Sequence, residues 1–270
     1  MASNKTLLNI HAKKYIQAVF EERLREEGFR CPDEKLLCWY RMRSDVLYDT
    51  IVFRSSWPNV PLNIEILYEV SPLFFDPLRT PNVHYNDSTH MRLDCRKRIS
   101  NRESGPINEM TFTAFAPDVP VFAPLHGGRG IYAFDEIILP EINRINTIEE
   151  CYQAHKAAQY RKKDGSIGFI GISREFVAEA VYMDDTEMYP VCRDKVLFAL
   201  AMYEKLVENK PNKKELPLIL EDWDQLYDAL FEDGREAFLK SLGHRMEKNR
   251  KLLTKWGVIP HKMNLPYKEA

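Results

Sequence analysis

Apolar positions change their spacing partway along the chain. Over 5–27, Leu7, Leu8, His11, Tyr15, Val19, Phe20 and Leu24 recur every three to four residues, the period of an amphipathic helix. Gly28 follows a charged last turn and is placed to adopt a left-handed cap, with Phe29 as its hydrophobic partner. The period then shortens to two. Lys35–Arg43, Val46–Phe53 and Leu62–Val70 read as strands, and Ser44-Asp45 reads as the turn between the first two. In the third, Leu62, Ile64, Ile66, Tyr68 and Val70 share one face, which predicts an antiparallel sheet with one face covered by the first helix.

Nine of the 16 prolines fall between Pro58 and Pro124, so only short strands are expected there, at Glu109–Ala116 and Val119–Ala123. From about residue 131 the helical period returns. Thr147 and Glu150 form a capping-box pattern for a helix to about Tyr160, and Ser173 is placed as an N-cap. Further helices are expected from Pro190 to Glu208, over 220–232 with Glu221, Asp222 and Asp224 in the first turn, and from Arg235 to Trp256. Strands and helices segregated in this way predict an α+β fold, with an N-terminal helix packed on an antiparallel sheet and a mostly helical C-terminal half. The expected division is a sheet domain with a proline-rich insert over 1–130, a helical subdomain packed on it over 131–260, and a tail over 261–270.

Composition narrows the classes of function. The chain has 270 residues, 44% apolar and 29% charged, which is ordinary globular usage. Residues 1–145 carry 18 basic and 19 acidic side chains, and 146–270 carry 20 and 21, so neither half has the basic excess of a duplex-binding protein. The five cysteines form no C-x-x-C pair, and reduced thiols in a cytoplasmic protein are the expected state. The first twenty residues lack a signal-peptide core, and no window is apolar enough for a membrane span.

Candidate chemistry is sparse. His84, His90 and Cys95 are the candidate metal ligands, but their spacing matches no common closed zinc module. Arg92, Arg96, Lys97, Arg98 and Arg102 place five cations within eleven residues, a stretch suited to an oxyanion or an acidic surface. His126–Gly130 lacks the partners of a phosphate loop or an esterase oxyanion loop, and Gly165, Gly168 and Gly171 are misspaced for a dinucleotide fingerprint. Glu65, Glu69 and Asp49 lie on adjacent strands, where exposed acids are commonplace. Cys31, Cys38 and Cys151 have apolar or structural neighbours. His11, His155 and His244 sit within helices, so no thiol–imidazole pair stands out.

The helix to Glu27, the Gly28-Phe29 turn, Trp39-Tyr40-Arg41 and the strand Val46–Phe53 together resemble a bacterial family of uncharacterised domains over residues 1–70. That family includes proteins considered immunity partners of bacterial toxins. The resemblance implies binding to another protein rather than catalysis, and it supplies no catalytic residue. The expectation is therefore a cytoplasmic, non-catalytic interaction module that needs no cofactor, with another protein as partner. Its binding residues are expected at Arg92, Arg96, Lys97 and Arg98, with the sheet face around Trp39 and Tyr68 as a second surface. The alternatives are a metal-dependent hydrolase built on His84–Cys95 with Glu65 or Glu69, and a nucleic-acid or phosphate binder using 92–102.

Overall fold

The computed structural model describes residues 17, 20–32, 38–55, 63–77, 112–113, 134–135, 139–158, 165, 167–169 and 172–260. The His84–Cys95 segment, the basic run 92–102, the strand expected at Val119–Ala123, the glycine turn at 126–130 and the tail 261–270 lie outside them.

The expected α+β architecture is present. Strands β1 (Cys38–Met42), β2 (Leu47–Ser55), β3 (Asn63–Pro72) and the two-residue β4 (Phe112–Thr113) form an antiparallel sheet in the order β1-β2-β3-β4. The helical segment 20–26 (α1) precedes it. The helices α2 (Leu139–Asn143), α3 (Ile148–Ala158), α4 (Arg174–Tyr182), α5 (Tyr189–Asn209), α6 (Glu215–Phe231) and α7 (Arg235–Lys255) follow. No helix among the described residues is long and apolar enough to cross a membrane.

Cross-strand register decides which side chains share a face. Trp39 pairs with Ile51 and Ile51 with Tyr68, so these three point the same way. They join the large core with Phe20 and Leu24 of α1 and with Cys151, Phe176 and Val177 of α3 and α4. Cys38, Tyr40, Met42, Tyr48 and Val52 point the other way, onto Leu253 and Val258 at the end of α7. Among the described side chains the sheet is thus covered on both faces, where alternation alone predicted one, and all five residues of β1 are buried. The second cover comes from about two hundred residues along the chain and leaves no local mark on the strands. The large core draws on both halves of the chain, from Phe20 to Leu242.

Chain reversals follow one chemistry. Gly28, at φ 84°, ends α1 with hydrogen bonds from its own N–H to Arg25 O and from Phe29 N–H to Leu24 O, and Phe29 is fully buried. Gly257, at φ 76°, repeats the arrangement after α7, with Val258 N–H bonded to Leu253 O and both side chains buried. The predicted caps also form: Phe176 N–H donates to Ser173 Oγ at 3.0 Å, and Thr147 and Glu150 exchange the two bonds of a capping box. α6 differs from expectation. It begins at Glu215, five residues before the predicted start, because Pro217 falls in its first turn, where a missing N–H costs nothing. Asp222 is therefore mid-helix, and it bonds Arg174 and Arg245 instead of capping.

Candidate functional site

Helical spacing brings Cys151 and His155 onto one face of α3, since residues four apart are neighbours on an α-helix. Their Sγ and Nε2 atoms stand 3.8 Å apart. Glu179 approaches from α4, and its carboxylate oxygens lie 2.6 and 2.8 Å from His155 Nδ1. Cys151 Sγ also lies 3.5 Å from Val70 O on β3 and 4.0 Å from Glu179 Oε1. All three side chains are buried, Cys151 and Glu179 completely. The arrangement has the order thiol, imidazole, carboxylate, in which the carboxylate fixes the ring orientation. It is shielded from solvent, so a substrate has no route to Sγ in this conformation. Sequence reading placed Cys151 and His155 separately. The Cys-x-x-x-His spacing on a helix was the available signal, while Glu179 lies 24 residues further on and becomes a partner only through packing.

A second candidate is a cleft of about 410 Å³ between the exit of β3 and helices α4, α6 and α7. Its charges are largely turned on one another. Arg174 pairs with Asp222 and Glu175, and Arg245 pairs with Asp222 and also donates to Gln225. Such a network fixes three helices together and leaves little net charge for a ligand.

The third feature is on the outside of α5. Its inner face buries Cys192, Val196 and Ala199. Its outer face carries Leu197, Ala201 and Met202, with Phe198 half exposed beside Phe169. Asp194 precedes this stripe by one turn and Lys205 follows it by one turn, and both are exposed. Four adjoining outward positions that are all apolar are unusual for a surface helix, whose outer face is ordinarily polar.

The sequence-derived residues fall elsewhere. Trp39 and Tyr68 are 3% and 4% exposed and sit in the core under α1, so their rings are turned away from any partner surface. Asp49 and Glu69 point to opposite faces of the sheet, because Asp49 registers with Val70 while Glu69 registers with Thr50. Asp49 is held by Arg41 and Arg43, and Glu69 accepts from Ser71, so the two acids form no common site. Arg92, Arg96, Lys97 and Arg98, with His84, His90 and Cys95, lie outside the described residues. Comparison with protein-family models, curated proteins and solved structures finds no match.

Proposed function

We propose that the chain is a protein-interaction module that acts by docking rather than catalysis, and that α5 docks against α5 of a second copy. The observation that carries this reading is the symmetry of the outward stripe. Leu197 and Phe198 on one side of its midpoint are matched by Ala201 and Met202 on the other, and Asp194 is matched by Lys205. An antiparallel pair of such helices sets Leu197 against Met202 and the large Phe198 against the small Ala201. Each Asp194 then meets a Lys205 at both ends of the seam. Self-complementarity of this kind is what a two-fold interface requires, since the same patch serves both subunits. Removing the four apolar side chains from water supplies the drive, and the end charges set the antiparallel direction.

The seam is short, so the association is reversible, with a dissociation constant on the order of micromolar. Sedimentation equilibrium across a concentration series tests it. Wild-type protein is expected to pass from monomer to dimer, and Phe198→Asp is expected to stay monomeric with an unchanged circular dichroism spectrum. A wild-type chain that remains monomeric up to several hundred micromolar, by order of magnitude, contradicts the reading.

A further inference from the structure

We infer that Cys151, His155 and Glu179 form a closed binding site for a divalent transition-metal ion of the zinc class. This rests on the core and is independent of the α5 seam. One donor atom from each residue, the thiol sulfur, a ring nitrogen and a carboxylate oxygen, lies within 4.8 Å of the other two. An ion bound to sulfur at about 2.3 Å and to nitrogen at about 2.0 Å holds those two ligands roughly 3.5 Å apart in a tetrahedron. The observed separations, 3.8 Å from Sγ to Nε2 and 4.0 Å from Sγ to Glu179 Oε1, lie close to that spacing, while the Glu179 oxygens sit 2.6 and 2.8 Å from Nδ1, so loading requires one of them to turn from the ring to the ion.

The donor types select the ion. Thiolate and imidazole together favour zinc and its neighbours over magnesium or calcium, which take oxygen shells. Charge also fits the location. A dication with one thiolate and one carboxylate is neutral overall, the condition under which ions are tolerated in a protein core. Loading releases the Cys151 thiol proton to solvent, as metal binding by thiols does. Burial assigns the role. Catalytic zinc keeps an open position for water and substrate, whereas structural zinc is enclosed. Here Cys151 and Glu179 are completely buried and His155 is 1% exposed, so the ion staples α3 to α4. The Val70 carbonyl oxygen, 3.5 Å from Sγ, is the backbone group available to complete the shell and ties the pair to β3.

Cobalt(II) is the direct probe, because thiolate coordination gives it an intense near-ultraviolet charge-transfer band. The full chain, stripped with a chelator and titrated with cobalt, is expected to bind one ion per chain with that band, and zinc is expected to displace it. Cys151→Ser is expected to abolish the band and weaken zinc binding on the order of 100-fold or more, while Cys95→Ser leaves both unchanged. The wild-type titration and the Cys95→Ser chain decide the matter even where Cys151→Ser fails to fold. Failure of the wild-type chain to bind stoichiometric cobalt or zinc, cobalt bound without the thiolate band, or a band that disappears with Cys95 overturns the assignment.

Discussion

Arg41 and Asp49 face each other across β1 and β2, with Arg41 Nε donating to Asp49 Oδ2 at 2.7 Å and both side chains almost wholly withdrawn from water. Arg41 also donates to Glu27 O at the end of α1 and to Asn143 Oδ1 on α2, and its guanidinium lies over the Phe29 ring at 4.6 Å. Arg43 reaches the same carboxylate and the carbonyls of Ile142 and Ile145. Asp49, with the Glu27 carboxylate 3.6 Å from Arg41, therefore compensates two arginines that bind the sheet to elements on both sides of the proline-rich stretch. Removing one member of a buried pair leaves an uncompensated charge, typically at about 3–5 kcal/mol. Asp49→Asn is expected to lose stability of that order in urea unfolding. A loss below about 1 kcal/mol, the scale of an exposed pair, contradicts this role.

The two helix caps give a smaller and graded expectation. Ser173 is buried and satisfies the Phe176 N–H, while the Thr147 cap is exposed. Ser173→Ala is expected to cost about 1–2 kcal/mol and Thr147→Ala about 0.5–1 kcal/mol. Equal losses at the two sites in denaturant midpoints would show that burial adds nothing to the cap.

Asp185 sets an acid limit. Burial raises its carboxyl, but hydrogen bonds from Lys156 and Tyr152 outweigh that and hold it below the ordinary carboxylate value. A carboxyl lowered on folding contributes stability above its unfolded value, near pH 4, and loses it as pH falls through the folded value. Asp185→Asn is thus expected to lower the melting temperature at pH 7 and to converge with wild type toward pH 2. A difference that persists at pH 2 shows that the contribution is not electrostatic.

Thr50 offers the opposite sign. It is 1% exposed, on the sheet face beneath α7, and its hydroxyl has no hydrogen-bond partner among the described residues. An unpaired buried hydroxyl costs about 1–3 kcal/mol. Thr50→Val is expected to raise stability by up to about 1 kcal/mol once repacking is allowed for. Calorimetry showing a clear drop in melting temperature would mean that the hydroxyl is satisfied.

What was legible in the sequence was local chemistry. Gly28-Phe29, the Thr147–Glu150 box, Ser173 and the three long strands each carry their cause within a few residues, and each formed where expected. Distant covers were not legible. Nothing in β1 announces that Leu253 and Val258 will close its second face, whereas Tyr68 lies on the apolar face that the first helix was expected to cover, and only the register carries Trp39 onto that face with it. Cys151 and His155 were visible as residues, but their relation depends on α3 being a helix and on Glu179 arriving from α4. The outward stripe of α5 was hidden for another reason. Val196, Leu197 and Phe198 are all apolar and consecutive, and only the packing shows that Val196 faces inward while Leu197 and Phe198 do not.

The most direct test of the interaction reading reverses the charges that end the α5 seam. Sedimentation equilibrium at low ionic strength should show dimerisation weakened in Asp194→Lys and in Lys205→Asp, each by several-fold, because each single change sets like charges together at both ends. The double variant Asp194→Lys/Lys205→Asp should recover wild-type association, since the exchanged charges again oppose one another. Recovery in the double variant supports antiparallel α5 pairing. Three variants that associate like wild type, or a double variant weaker than either single one, contradict it.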